Sequence, residues 1–226
     1  MPADPRTDPT WLYSPTGQKG QEKPVQLILG HYTSDLPGAE AYAADISIAQ
    51  DRERLVARFP DVSVLVNNAG IQVNTPIAES APEDIEHELN VNFLAPVLLC
   101  RAFLPLLVRQ PSAAIVNVSS GMALVPKEVA AMYCASKAAL HSFSKALRWQ
   151  LEGTSVRVFE VLPPLVETAM TAGRGKGKIS SAQLAEEFWE GFKADRYEML
   201  IGKTKLLSLV NRLAPVMSDV RPSGEA

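Results

Sequence analysis

The sequence has few of the residues that support metal or disulfide chemistry. Its 226 residues include two cysteines and three histidines. Cys100 and Cys134 form no Cys-x-x-Cys pair, so we expect both to be reduced thiols in a cytoplasmic protein. His31, His87 and His141 do not have the spacing of zinc ligands, and we therefore predict that the protein holds no metal ion.

Strong net charge and long uninterrupted apolar runs are also absent. The formal net charge is −3 at pH 7, which gives no reason to expect nucleic acid or an anionic membrane as a partner. Residues 1–24 are rich in proline and lack the apolar core of a signal peptide. The most apolar stretch, 89–108, is interrupted by Asn90, Asn92 and Pro105. It predicts a buried or interface helix rather than a membrane span.

The composition and the order of the predicted elements fit one α/β domain. Hydrophobic residues make up 46% of the chain, enough to bury a sizeable core. We expect an extended or disordered arm over 1–24, one domain over 25–215 and a flexible tail over 216–226. Strands are predicted at 25–29, 40–46, 62–66, 115–118, 156–162 and 199–201. Helices are predicted at 49–58, 83–109, 131–152, 181–194 and 205–213. This alternation predicts a doubly wound parallel sheet with helices on both faces.

Polar or turn-forming residues follow several of the predicted strands. They are Asp45, the segment 67–70, Ser119 with Ser120, and Pro163 with Pro164. In open parallel sheets, ligands bind outside the carboxyl ends of the strands. The sequence therefore predicts a binding site at this edge of the sheet.

One predicted helix adds an acid–base pair to that edge. Tyr133 and Lys137 are four residues apart, so their side chains lie on one helical face, about 5–6 Å apart at Cβ. An ammonium group beside a phenol favours the phenolate and lowers the pKa of the phenol from its usual value near 10. Such a tyrosine can exchange a proton with an alcohol or carbonyl oxygen, and Ser120 could hydrogen-bond the same oxygen. The pair alone is weak evidence, because this spacing is common on helices.

Further segments give the pair its meaning. They are 64–70 (Val-Leu-Val-Asn-Asn-Ala-Gly), Asn92 within 89–93, 117–121 (Asn-Val-Ser-Ser-Gly) and 163–168 (Pro-Pro-Leu-Val-Glu-Thr). In order and spacing they resemble the short-chain dehydrogenase/reductase family, whose catalytic serine stands thirteen residues before the tyrosine, as Ser120 stands before Tyr133. The segments 117–121, 133–137 and 162–164 resemble the DltE-like branch of that family. The resemblance covers roughly residues 37–215.

The resemblance implies a Rossmann-like fold and a function. It implies hydride transfer between a nicotinamide cofactor, NAD or NADP, and a carbonyl or secondary alcohol of a small molecule. Tyr133 would be the acid/base, Lys137 would lower its pKa and hold the nicotinamide ribose, and Ser120 would orient the substrate carbonyl. Asn92 would support a proton relay through water; the alternative is a helix-interior amide that bonds a neighbouring loop.

The resemblance also implies further cofactor-binding residues beside Tyr133 and Lys137. Asn68, Ala69 and Gly70 would line the adenosine side, Asp45 would contact the adenine, and Pro163, Val166 and Thr168 would lie at the nicotinamide amide. Asp45 has an alternative interpretation as the cap of a turn.

The chain lacks the glycine-rich turn with which a dinucleotide fold normally begins. The family pattern is Thr-Gly-x-x-x-Gly-x-Gly, whereas 16–20 (Thr-Gly-Gln-Lys-Gly) lacks this spacing and is soon closed by Pro24. If 25–29 is the first strand, Gly30 is the one glycine left in its turn. If 25–29 is the second strand, the first strand and its helix are missing. Either way the first βαβ unit is predicted to be incomplete, and His31 leaves the choice between NAD and NADP open.

Two functions of different class follow. The first is an NAD(P)-dependent oxidoreductase. The alternative is a catalytically inactive relative, a structural or interaction protein that has lost dinucleotide binding. By resemblance we also expect a homodimer through the apolar helices 83–109 and 132–152.

Overall fold

The structure is a computed structural model that describes residues 27–29 and 42–213. Strands and helices alternate along these residues. The strands are β1 (Leu27–Leu29), β2 (Val64–Asn67), β3 (Ala113–Val118), β4 (Val156–Leu162) and β5 (Glu198–Leu200). The helices are α1 (Ala49–Arg58), α2 (Pro82–Leu89), α3 (Ala95–Leu107), α4 (Ala131–Gln150), α5 (Ser181–Lys193) and α6 (Thr204–Leu213). A π-helical segment, Asn90–Leu94, joins α2 to α3.

The strands form one parallel sheet in the order β1-β2-β3-β4-β5. Their register aligns two rows of apolar side chains, Leu65–Ile115–Val158 and Val66–Val116–Phe159. Because successive side chains of a strand point to opposite faces, these rows cover opposite faces of the sheet. The first row packs with α1, α3 and α4, and the second packs with α5. The predicted doubly wound α/β fold is therefore confirmed, and burial on both faces explains the continuous apolar runs of the strands.

Several predicted elements match the structure closely, and one is wrong. The helix at 49–58 and the strand at 156–162 are confirmed at both ends. The predicted strand at 40–46 is wrong, because its described part, 42–46, forms no strand. There the carboxylate of Asp45 accepts hydrogen bonds from the backbone N–H and the hydroxyl of Ser47, at 2.9 and 2.6 Å. Such local bonding by an aspartate favours a turn over a strand ladder.

The first strand lies directly beside β2 and parallel to it. In the doubly wound order 3-2-1-4-5-6, the first strand lies next to the fourth. If β2 is counted as the fourth strand of this order, β1 lies where the first strand should lie. This supports the interpretation of 25–29 as the first strand. The predicted arm over 1–24, Gly30 with His31, and the predicted tail over 216–226 lie outside the described residues.

The long predicted helix at 83–109 is divided by the π-helical segment. Pro96 has no N–H and so cannot make the α-helical hydrogen bond to the carbonyl of Asn92. The N–H of Ala95 donates to the carbonyl of Asn90, five residues earlier, which is the hydrogen bond of a π-helix. By length and composition alone, the whole stretch Pro82–Leu107 could cross a membrane. However, α3 packs in the core cluster against β2 and β3, with Phe103 fully buried. This is the position of a core helix that covers the sheet.

Candidate active site

A row of polar side chains crosses the sheet next to the apolar row Leu65–Ile115–Val158. Strand pairing aligns Asn67 with Asn117, Asn117 with Glu160, and Glu160 with Glu198. We call these four residues the polar row. The first three are buried, whereas Glu198 is exposed. They share a face with the row that packs under α3 and α4, where buried polar groups need hydrogen-bond partners. Asn67 Oδ1 is the exception among the described residues of the row, because it is buried without a partner.

The asparagines of the polar row bond to each other and to both helices. The side-chain N–H of Asn67 donates to Asn117 Oδ1 at 2.8 Å and to the sulfur of Cys100 on α3 at 3.3 Å. Asn117 Nδ2 donates to the hydroxyl of Ser144 on α4 at 2.9 Å, and that hydroxyl donates to the carbonyl of Leu140 at 2.7 Å. These bonds fix the position of α4 over the sheet.

The structure brings the predicted catalytic side chains together. Ser120 follows β3 and caps a short 3₁₀ turn, where its Oγ accepts a hydrogen bond from the N–H of Met122 at 3.1 Å. Tyr133 lies in the first turn of α4, near enough to Ser120 for the serine to lower the pKa of its phenol. The Nζ of Lys137, one turn further along, lies 5.8 Å from the centre of the Tyr133 ring and donates to the carbonyl of Val118 at 3.0 Å.

Burial dominates the electrostatics of this pair. It raises the pKa of Tyr133 to about 12, and Ser120 acts in the opposite direction. Burial also lowers the pKa of Lys137 to about 8, although the charges of Glu160 and Glu88 favour the ammonium form. The pKa of Tyr133 is therefore raised and not lowered as expected, and Lys137 is not among the groups that act on it most strongly. The tyrosine is a protonated phenol at neutral pH.

Asn92 lies in the π-helical segment and bonds a loop, as one of its two interpretations predicted. Its Oδ1 accepts from the N–H of Ile71 at 2.8 Å, and its Nδ2 donates to the carbonyl of Ile71 at 2.9 Å. The same Nδ2 lies 3.1 Å from the hydroxyl of Ser136, which bonds the carbonyl of Tyr133 at 2.8 Å. Asn92 thus connects the loop after β2 to the start of α4.

The loop after β2 approaches Lys137 closely at Gly70. A Cβ atom at Gly70 would lie 3.3 Å from Asn92 Oδ1 and 3.4 Å from Lys137 Nζ, so a larger residue would push against the site. Ala69 is buried in the core and Asn68 is partly buried. The predicted cofactor segment therefore adjoins the predicted catalytic lysine.

The loop after β4 also reaches the serine. The carbonyl of Pro163 accepts a hydrogen bond from the N–H of Gly121 at 2.9 Å. Further along, Val166 is buried and pairs with Ile179 in an isolated parallel bridge. The N–H of Thr168 donates to the hydroxyl of Thr171 at 3.1 Å. The predicted residues Pro163, Val166 and Thr168 thus lie on one loop, and its Pro163 bonds the residue that follows Ser120.

Asp45 is an exposed turn residue in the structure. Besides its bonds to Ser47, its backbone N–H donates to the carboxylate of Asp51 at 2.7 Å. Hydrogen bonding from Ser47 lowers the pKa of its carboxyl group. These contacts agree with the cap-of-a-turn interpretation, and a contact of Asp45 with adenine stays a prediction.

Two buried carboxylates near Lys137 are missing from the predicted site. Glu160, 1% exposed, accepts from the Ser119 hydroxyl at 2.5 Å and pairs with His141 Nδ1 at 2.7 Å. Glu88, also 1% exposed, accepts from the N–H of Val73 at 3.0 Å, and burial raises its pKa. The available signal for Glu160 was a single charge inside an apolar strand, Val-Phe-Glu-Val-Leu, which is rarely buried without a partner.

Glu160 and Glu198 also form a group with His141 that offers three possible metal-ligand atoms within 4.8 Å of one another. Both carboxylate oxygens of Glu160 are already hydrogen-bonded, one by Ser119 and the other by His141. The hydrogen bond to Glu160 raises the pKa of His141, which favours an ion pair in this position. The ion pair between His141 and Glu160 therefore explains why these side chains lie close together.

The nicotinamide end of a dinucleotide site fits the residues present. A lysine ammonium has three N–H donors, and among the described residues Lys137 Nζ uses one of them, to the carbonyl of Val118. Its remaining donors suit the hydroxyls of a ribose. Gly70 leaves space beside the ammonium, because any side chain there would contact it. The residues that would hold this end are Tyr133, Lys137 and Pro163, whereas Gly70, predicted for the adenosine side, adjoins Lys137 in the structure.

Known proteins resemble this chain over most of its length. Residues 20–178 match the short chain dehydrogenase family. The chain is 39% identical over 183 residues to the uncharacterized oxidoreductase DltE of Bacillus subtilis (strain 168), covering 76% of this chain and 73% of that protein. It is 36% identical over 194 residues to the 1-deoxy-11-beta-hydroxypentalenate dehydrogenase of Streptomyces exfoliatus, covering 80% of this chain and 70% of that enzyme.

Solved structures give the same result for the fold. A short chain dehydrogenase from Burkholderia cenocepacia J2315, in complex with NADP, superposes with a TM-score of 0.75 at 27% identity, covering 80% of this chain and 79% of that one. A short chain dehydrogenase/reductase from Burkholderia phymatum, in complex with NAD, superposes with a TM-score of 0.72 at 22% identity, covering 84% and 81%. By its family match, its relatives and its fold, the chain belongs to the short-chain dehydrogenase/reductase family of oxidoreductases, in the DltE-like branch.

Proposed function

We propose that the protein is an NAD(P)-dependent oxidoreductase that interconverts a carbonyl group and a secondary alcohol of a small molecule, with Tyr133 as the acid/base. The observation that carries this proposal is that Tyr133 lies next to the buried ammonium of Lys137, which is 5.8 Å from the centre of its ring, and near Ser120. The nicotinamide cofactor supplies or accepts the hydride when it is bound. Relatives named as oxidoreductases and a similar structure in complex with NADP support the proposal.

The side chains of this site suit the proton half of the reaction. Negative charge develops on the carbonyl oxygen as it is reduced, and the hydroxyls of Ser120 and Tyr133 are donors for that oxygen. Tyr133 then gives up its proton as a general acid. The nearby ammonium of Lys137 stabilises the phenolate that remains. Asn92, through Ser136, holds the start of α4 so that these donors keep their positions.

Replacement of the tyrosine tests the proposal. Tyr133→Phe removes the proton donor and leaves the ring, so we expect the carbonyl reductase activity to fall by about 10²–10⁴-fold. Tyr197→Phe is the matched control, because Tyr197 is exposed and packs its ring on Phe159 instead. The measurement is NADPH or NADH oxidation with a panel of ketones and aldehydes.

Titration calorimetry with NADPH and NADH completes this test. The chain lacks the glycine-rich turn with which a dinucleotide fold normally begins, so binding of the cofactor has to be measured directly. Binding at micromolar affinity or tighter supports the enzyme. Failure of the protein to bind either nucleotide, or full activity in Tyr133→Phe, would contradict the proposal. A protein that binds neither would fit the inactive relative described above.

We also propose that the protein forms a homodimer through the helices α2, α3 and α4. Within the described residues, α2 and the π-helical segment pack against α4. Large apolar side chains remain exposed on these elements: Leu89, Leu94 and Trp149 are 39%, 46% and 60% exposed. Covering them would remove apolar surface from water, which favours association.

A further inference from the structure

We propose that Glu160 is a positioning residue of this site, whose buried negative charge keeps Lys137 in its ammonium form. The inference deepens the proposed function, because Lys137 is the group that serves Tyr133. It rests on the arrangement of Glu160, Lys137 and His141 between β4 and α4. Its test requires neither cofactor binding nor turnover.

Lys137 needs a counter-charge where it lies. The residue is 3% exposed, and the acceptor of its ammonium is the neutral carbonyl of Val118. An ammonium group that is taken out of water is strongly destabilised unless an opposite charge compensates it. Glu160 is the first carboxylate whose charge favours the ammonium of Lys137, and Glu88 is the second.

Glu160 is held in a fixed position inside the protein. It lies in the interior of β4 and is 1% exposed, and both of its carboxylate oxygens receive a hydrogen bond. One bond comes from Ser119, the residue before Ser120, and the other from His141. His141 is one helical turn beyond Lys137 on the same face of α4, and Ser119 directly follows Val118, whose carbonyl accepts from Lys137, so the carboxylate lies near the ammonium.

The other charged groups around this cluster come from three elements. They are Lys145 on α4, Glu198 on β5 and Glu88 on α2. Glu198 is aligned with Glu160 across the β4–β5 pair, and its charge acts on His141, as does that of Lys145 with the opposite sign. Glu88 accepts one backbone hydrogen bond, from Val73, whereas Glu160 accepts from two side chains. The side chain of Glu160 is therefore held by more hydrogen bonds than that of Glu88.

The test measures the titration of the Lys137 amine directly. The full chain is labelled with ¹³C at lysine Cε, and the Lys137 signal is identified by its loss in Lys137→Arg. In Glu160→Gln, which keeps the size of the side chain and can still accept from Ser119, we expect the Lys137 midpoint to move to lower pH by about one pH unit. In Glu160→Asp, which keeps the charge, we expect the midpoint to stay close to that of the parent protein.

Glu198→Gln is the matched control, because it removes a carboxylate next to Glu160 whose charge acts on His141. We expect it to lower the midpoint of His141 and to leave that of Lys137 unchanged. An unchanged Lys137 midpoint in Glu160→Gln would overturn the inference. So would equal shifts of the Lys137 midpoint in the Gln and Asp variants, or an equal shift in Glu198→Gln. If the parent protein reduces no carbonyl but the Lys137 midpoint shifts as expected, the proposed function fails and this inference stands.

Discussion

Asn117 illustrates how single residues keep polar groups satisfied inside this parallel sheet. Its amide accepts from Asn67 on the neighbouring strand and donates to Ser144 on α4, and all three residues are buried. A buried donor or acceptor left without a partner costs about 1–3 kcal/mol, so each member depends on the next. In the same way, Glu160 of the polar row pairs with His141 of α4, and the charge of Glu198 acts on the same histidine. The hydrogen bonds of the polar row to Ser144 and His141 thus hold α4 in position over the sheet.

The two perturbed groups of the site predict a pH dependence for the proposed reaction. At neutral pH, Tyr133 is a protonated phenol with a pKa of about 12 and is ready to donate a proton, which suits reduction of a carbonyl. Lys137, with a pKa of about 8, loses its ammonium charge as the pH rises through that value. Without this charge, the phenolate formed in the reaction is less stable. We therefore expect kcat/KM for reduction to fall as the pH rises above about 8.

The measurement is the rate of ketone reduction between about pH 6 and pH 10, with the unfolding of the protein followed over the same range as the control. A rate that stays constant through pH 8 while the protein remains folded would contradict this prediction. The Tyr197→Phe variant should give the same profile as the parent protein, because Tyr197 is exposed and packs its ring on Phe159.

At the scale of elements, the π-helical segment Asn90–Leu94 is the least regular part that supports the site. It turns Asn92 toward Ile71, where the amide accepts from the N–H and donates to the carbonyl of one loop residue. Asn92→Ala leaves both backbone groups of Ile71 without these bonds. We expect this variant to lower the free energy of unfolding by about 2–4 kcal/mol and to reduce the proposed activity as well.

Asn90→Ala is the control for this prediction, because it removes an amide of the same size from the same segment. We expect it to cost less than about 1 kcal/mol, as for most substitutions away from buried networks. Urea unfolding followed by circular dichroism gives both values. Equal losses in the two variants would show that the segment, and not the bonds of Asn92 to Ile71, carries the stability.

The elements also show which features could be predicted from the sequence. Helix α1 and strand β4 were predictable at both ends, because periodicity and an apolar run mark them locally. Pro96 predicts a kink in the long helix, but the π-helical segment itself was not predictable, since the bonds of Asn92 run to a loop that is distant in sequence. Ser120, Tyr133 and Lys137 were predictable because they form a spaced motif. Glu160 was not, because its role comes from burial and from partners on β5 and α4.

At the scale of the whole molecule, the polar residues at the strand ends lie at one edge of the sheet. Exposed apolar side chains lie on the helices α2 to α4. Leu89 and Leu94 lie on the stretch from α2 to α3, and Trp149 lies at the end of α4. The α2 helix and the π-helical segment pack against α4, so a partner subunit could cover both helices at once. Such a contact would also stabilise the position of α4, the helix that contains Tyr133 and Lys137.

Disruption of this surface gives the last prediction. We expect the parent protein to elute in size-exclusion chromatography with a light-scattering mass of about twice the 24.5 kDa of the chain. Leu89→Glu combined with Leu94→Glu places two charges on the proposed interface, and we expect this variant to be a monomer, because burying unpaired charge is costly. Leu206→Glu is the matched control on α6, where the parent side chain is 64% exposed, and it should remain dimeric. A parent protein that is monomeric at micromolar concentration, or a double variant that stays dimeric, would contradict the proposed interface.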